Sequence, residues 1–209
     1  MPASPLPIAV LHIDESCLGN GRDQPTPGGA GGLIEVQAGG RVERRDFFIH
    51  ASDTTNNRMA LSGAIAGLQL LAGKGRRLRA LVVSDSEYLV KGMREWVPGW
   101  IARGWKRKGG AIENLELWRV LVDSAKLHEV QWTWVRGHHG HPKNEYANDL
   151  AMKAAREQTT SHGAVPSGFA EWLEEARRKG NFAEYDGDEE FIRLAQRLAA
   201  GQPVPAVDA

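Results

Sequence analysis

Three carboxylates stand where apolar runs end. Asp14 and Glu15 close "PIAVLHIDE" (7–15), and Asp85 closes "LRALVVSD" (78–85). Each run is short and apolar, as a buried strand is. In open α/β sheets, ligands sit beyond the carboxyl ends of strands, where the strand order reverses. Acids at neighbouring strand ends repel one another unless a positive charge lies between them. A divalent cation supplies that charge, and an all-oxygen donor set favours Mg²⁺ or Mn²⁺. Taken singly, either aspartate reads as a turn or helix cap. Taken together, they predict a cation site.

The elements that must position these acids follow from periodicity. "PIAVLHID" (7–14) is the first strand, and a Gly/Pro-rich loop follows over 18–32. "GLIEVQ" (32–37) and "RVERRDFFIH" (41–50) read as two strands joined by a turn at 38–40. From Asn57 to Ala72, Met59, Leu61, Ile65, Leu68 and Leu71 recur at helical spacing, with Thr55 or Asn56 as N-cap and Gly73 and Gly75 at the close. The strand ending at Asp85 comes next, then short helices over 86–102. A helix near 113–127, a strand over 130–135, the loop "RGHHGHPK" and a helix over 143–157 complete the body. This order predicts an α/β fold with a mixed sheet. Residues 158–167 read as a linker. Two amphipathic helices over 168–209 are expected to dock on the body, because Trp172, Leu173, Phe182, Phe191, Ile192 and Leu194 need burial.

Bulk properties set limits. No apolar run is long enough to span a bilayer, and the N-terminus lacks the basic and apolar regions of a secretory signal. The single cysteine, Cys17, suits a reducing compartment, so a cytoplasmic location is expected; the chain is also expected to be a monomer. The net charge is zero, but residues 161–209 carry 9 acids against 5 Lys and Arg, which leaves the body mildly basic. That imbalance alone does not identify a partner.

The chain from about 7 to 157 resembles a type 1 ribonuclease H. The resemblance rests on "DESCLGN", "TTNNRM", "SDSEYLVKG", "REWVPGWIARGWK", "NLELW" and "WVRGHHGHPKNEYANDLA", in the family's order and at its spacing. It implies a ribonuclease H-like fold, a five-stranded mixed sheet flanked by helices, with residues 1–157 as the catalytic domain and 168–209 as a helical extension. It also implies four carboxylates holding two Mg²⁺ ions, from the first strand, first helix, fourth strand and last helix. Asp14 matches the first and Asp85 the third. Ala60 stands at the second, and Asn148 at the fourth. Glu15 stands where the family has Gly, and type 2 ribonucleases H pair Asp with Glu at that place. The expectation is therefore that the second carboxylate has moved from the helix to Glu15. Successive strand side chains point to opposite faces, so this reading requires the strand to end or bulge at Glu15. An Asn148 amide oxygen still ligates Mg²⁺ or holds a ligated water. Asp149, about 100° further round the helix, is the alternative.

The resemblance further implies cleavage of the RNA strand of RNA–DNA hybrids. In the family's two-metal scheme, one ion activates water and the other stabilises the leaving 3′ oxygen. The products carry 3′-hydroxyl and 5′-phosphate ends. His138 matches a family histidine that assists proton movement or product release, and an ordinary pKa of about 6.5 suits that role. Asn20, Thr55, Asn56 and Asn57 match positions that touch the hybrid, where neutral donors and acceptors suit the minor groove and phosphates. Trp100, Arg103, Trp105 and Lys106 fall in the family's basic protrusion, which grips the DNA strand; Trp96 is expected to be core, and Arg103 to Lys108 exposed. Two rival readings remain: a silent hybrid-binding protein, and incision at single ribonucleotides as in type 2 enzymes. Glu15 speaks against the first, since a decayed site has no reason to gain an acid.

Overall fold

A computed structural model of the chain describes residues 6–19, 26–38, 40–73, 75–137 and 140–205. Six strands form one mixed sheet: β1 (Ile8–Cys17), β2 (Gly28–Ala38), β3 (Arg41–Ala51), β4 (Arg79–Ser84), β5 (Glu129–Trp134) and β6 (Val165–Pro166). Their order is β5-β4-β1-β2-β3-β6. β4, β1 and β5 run parallel, whereas β1–β2–β3 is an antiparallel meander. The sequence predicts five strands. The sixth is a two-residue edge strand inside the segment read as a linker, pairing Val165 with Asp46 and Pro166 with Arg45. Ser161 adds to this edge, its hydroxyl accepting from the Phe48 amide at 3.0 Å.

The helices cover both faces. On one side lie α1 (Asn56–Ala72), α2 (Glu87–Lys91), α3 (Val97–Ala102) and α4 (Leu115–Lys126). Leu11, Ile13, Ile34 and Phe47 of the sheet pack there with Leu61, Leu68, Trp100 and Trp118. Thr55 is the N-cap of α1, its hydroxyl accepting from the Arg58 amide. A widened turn over Gly92–Trp96 links α2 to α3. On the other side lie α5 (Pro142–Glu157), α6 (Phe169–Arg178) and α7 (Gly187–Ala199). There Val10, Leu81 and Val83 pack on Phe191, Leu194 and Leu198 of α7, and Leu33 packs on Tyr146, Phe169 and Leu173. The tail helices thus dock as their apolar stripes require, although Ile192 stays exposed.

Two strands extend beyond their expected ends. β2 begins at Gly28, inside the stretch read as loop. Gly29 and Gly31 are there because α5 crosses very close: a Cβ on Gly31 would come within 2.6 Å of the Ala147 carbonyl and the Ala151 amide, and one on Gly29 within 2.3 Å of the Ala151 carbonyl. A helix backbone cannot yield as a side-chain tip can. Gly31→Ala should therefore cost about 1–3 kcal/mol, the range for overpacking, and lower the melting temperature accordingly. A melting temperature equal to the parent's would mean that α5 is free to shift. β1 continues past Asp14 to Cys17, which matters for the site.

Candidate active site

Asp14 pairs with Gly31 across the β1–β2 ladder, and Glu15 pairs with Ala30. The register runs unbroken to Cys17–Gly28, so β1 neither ends nor bulges at Glu15. The two side chains accordingly leave opposite faces of the strand. They meet for a different reason. β4 pairs with β1 only from Ile8 to His12. Beyond His12, β1 overhangs its neighbour, and Asp85 follows directly after the last residue of β4. Side chains from either face of the overhang can therefore turn around the open edge toward Asp85. One oxygen from each of Asp14, Glu15 and Asp85 lies within 4.8 Å of the others.

The electrostatics record this crowding. Burial first, and then the Asp85 charge, push the Asp14 carboxyl up to about 8. The Glu15 amide (2.6 Å) and the Asn144 side-chain amide (3.3 Å) donate to Asp14 and oppose the rise. Burial, Asp14 and Asp85 likewise hold Glu15 well above the ordinary carboxylate range, against a hydrogen bond from Ser86. The Cys17 thiol is pushed up to about 11 by burial and by Glu15, which makes it a poor nucleophile. Three acids at this spacing form an all-oxygen donor set whose repulsion a divalent cation relieves, so the residues present fit such an ion. Among the described residues, this is the one cluster of three or more His, Cys, Asp or Glu side chains spaced to hold a metal.

Neighbouring groups hold the cluster in place. The Trp134 indole donates to the Asp85 carbonyl at 2.9 Å, fixing the end of β4. Gly137 packs on the Asp85 carboxylate so closely that a Cβ there would sit 2.1 Å from Oδ2. Ala60 is buried in the core beneath α1, and no acid lies in α1.

The remaining expected residues fall out as follows. Asn144 and Asn148 lie one turn apart on α5, hence on one stripe of the helix. Asn144 reaches Asp14, whereas the Asn148 amide lies 3.4 Å from the Met152 sulfur. Asn144 was missed by the sequence reading; its place one turn before Asn148 was the available signal. Asp149 is exposed and accepts a 2.7 Å hydrogen bond from the Trp172 indole, which ties α5 to α6. Its carboxylate is committed to packing the tail. Thr55, Asn56 and Asn57 open α1 at the surface. Asn20 and His138 lie outside the described residues. Arg103 and Lys106 are exposed and Trp105 is half-buried, with the Arg119 guanidinium 5.6 Å from its ring centre. Trp100 is buried, edge-on to Trp118, and belongs to the core. Trp96, expected in the core, lies at the surface, 36% exposed, against Tyr88 and Trp100. The apolar positions under this turn are already filled by Trp100 and Trp118.

Known proteins resemble this chain over most of its length. The RNase H family model matches residues 8–156. Ribonuclease H of Sulfurovum sp. is 43% identical over 145 residues, which is 69% of this chain and 88% of that protein. Ribonuclease H of Syntrophotalea carbinolica is 44% identical over 152 residues, 72% of this chain and 93% of that protein. Among solved structures, LC9-RNase H1, described as a type 1 RNase H with the type 2 active-site motif, superposes with a TM-score of 0.76 at 50% identity. The match covers 81% of this chain and 82% of that one.

Proposed function

The chain belongs to the ribonuclease H family of hydrolases, and from that premise we propose that it cuts the RNA strand of RNA–DNA hybrids with Asp14, Glu15, Asp85 and Asn148. The observation that carries this reading is the meeting of three carboxylates past the end of β4, with Glu15 supplying the acid that α1 lacks. The relative at 50% identity carries, by its own description, a type 2 motif on a type 1 protein, which supports the same assignment.

Bound Mg²⁺, or Mn²⁺ in its place, supplies Lewis acidity at the scissile phosphate and lowers the pKa of water. Asp14, Glu15 and Asp85 hold the cation and must shed their protons to do so. Asn144 orients Asp14 through its amide, and Trp134 fixes the strand end that carries Asp85. Asn148, on the same stripe as Asn144, contributes a neutral oxygen, so the site carries three negative charges. His138 assists proton movement or product release. Thr55, Asn56, Asn57 and Asn20 meet the hybrid in its minor groove, where they position without reading sequence. Arg103 and Lys106, exposed beside Trp105, meet the DNA-strand phosphates and make binding salt-dependent. No helix among the described residues is long and apolar enough to cross a membrane.

The test is cleavage of 5′-labelled RNA in an RNA–DNA hybrid, with Mg²⁺ or Mn²⁺ against EDTA. Metal-dependent cutting is expected, with substitutions at neighbouring helix positions acting very differently. Asn148→Ala should lower kcat at least about 10- to 100-fold, the cost of losing even an outer-shell partner of the ion. Asp149→Ala should leave kcat near the parent's and lower the melting temperature, because it frees Trp172. Binding without cutting in either metal would reject the assignment in favour of a silent hybrid-binding protein.

A further inference from the structure

The family match ends at residue 156, yet α7 reaches back to the active-site end of α5. The link is Lys143, which is 1% exposed. Its ammonium lies 2.8 Å from Glu35 of β2 and 3.0 Å from Glu190 of α7, and it donates to the Gly187 carbonyl at 2.9 Å. All three of its N–H donors are thereby used. Arg44 of β3 bridges the same Glu35, at 2.9 Å, to Asp188 of α7. The His12 ring meets the Glu35 oxygen that Lys143 also contacts, at 3.2 Å, and the Tyr185 hydroxyl donates to Glu190. Five elements, β1, β2, β3, α5 and α7, share one ionic network, buried except at Asp188.

A lysine in the first turn of a helix opposes the helix dipole, and burying it costs more still. Carboxylates from β2 and α7 offset both. At the entry of α5, Glu145 accepts from the Gly140 amide at 3.3 Å. Lys143 ties the same turn to β2 and α7, and the next residue is Asn144, whose amide donates to Asp14. We propose that α7 braces the active-site end of α5: Glu190, acting through Lys143, is a positioning residue that sets Asn144 against Asp14. This rests on the reading of Asp14, Glu15 and Asp85 as the cation-holding acids.

The network explains why the extension is seated where it is. α7 covers the face of β1 and β4 that carries Val10, Leu81 and Val83, and Arg79 clasps its far end by donating to the Leu198 and Ala199 carbonyls at 3.0 and 3.1 Å. Two ends of one helix can therefore be loosened separately. Glu190→Gln disturbs the end at α5, and Arg79→Ala disturbs the other.

Mn²⁺ binding to the substrate-free protein, followed by calorimetry, and the Mg²⁺ dependence of hybrid cleavage are measured for the full-length parent and both variants, alongside melting temperatures. Glu190→Gln is expected to weaken Mn²⁺ binding and raise the half-saturating Mg²⁺ concentration about tenfold, as loss of an outer-shell partner does, with the KM for hybrid unchanged. Arg79→Ala is expected to lower the melting temperature while leaving both metal constants at the parent values. Parent-like metal constants in Glu190→Gln, with only a lower melting temperature, would overturn the brace and leave α7 a packing element. A parent protein that neither binds Mn²⁺ nor cuts would instead reject the underlying site assignment, and the brace with it. Lys143→Met removes the whole link. If it folds, it should show a larger metal defect than Glu190→Gln, and an equal or smaller one contradicts the proposed route.

Discussion

Glu15→Ala should abolish cleavage, lowering kcat by about 10³-fold or more, equivalent to roughly 4 kcal/mol of transition-state stabilisation. The KM for hybrid should change little, because the residues proposed to hold the duplex, Asn20 apart, lie at the start of α1 and on the α3–α4 segment. Glu15 faces away from Asp14 across the strand, yet both carboxylates come within 4.8 Å of Asp85. That convergence has a cost: each acid raises the others toward protonation. Removing Glu15 should therefore make the metal-free protein more stable at neutral pH while silencing it. Stability gained with activity lost is the signature of a strained functional charge. Glu15→Gln separates charge from shape and should behave like Glu15→Ala. Near-parent activity in either would sink the assignment of the second carboxylate to β1.

The second large effect concerns pH and metal. Asp14 ionises near 3.8 in an unfolded chain and at about 8 in the folded one. Between those values the folded protein holds a proton that the unfolded chain has released. Stability therefore falls as pH rises from about 4 to about 8 and levels off above. Glu15 acts in the same direction. Glu35 acts oppositely. Although burial pushes it up, the His12 hydrogen bond and the Lys143 ammonium hold it down at about 2, so its contribution is complete above about 4.5 and is lost below. The metal-free protein should be most stable near pH 4 and lose a few kcal/mol between pH 5 and pH 8. A bound divalent cation replaces those protons, so excess Mg²⁺ should stabilise little at pH 5 and most at pH 8. Melting curves across pH, in EDTA and in excess Mg²⁺, check both slopes. A flat metal-free profile from pH 5 to pH 8, unmoved by Mg²⁺, would mean that the three acids do not share one field.

The sequence by itself determined the acids and most of the elements. Asp14 and Asp85 end apolar strands, α1 carries helical periodicity behind a Thr55 cap, and Asn148 falls on the last helix of the body. These follow from local patterns of period 2 and 3.6, which are written along the chain. The means by which Glu15 reaches the cluster was not legible. A bulge or strand end was the local way to reconcile two adjacent side chains, and the register shows neither. The answer lies in relative strand length: β4 stops pairing at His12 while β1 runs on to Cys17, and only the assembled sheet sets that overhang. The strand character of Gly28 to Gly32 was hidden for a similar reason. Gly29 and Gly31 answer to the approach of α5, an element more than a hundred residues away. Asn144, Lys143 and Glu190 acquire their roles from the docking of α7, and Asp149, one residue from the site, is spent on Trp172. Residue type restricts which chemistry a position can do. Which of several acids and amides does it is a matter of distance between distant segments, and that is a property of the tertiary fold.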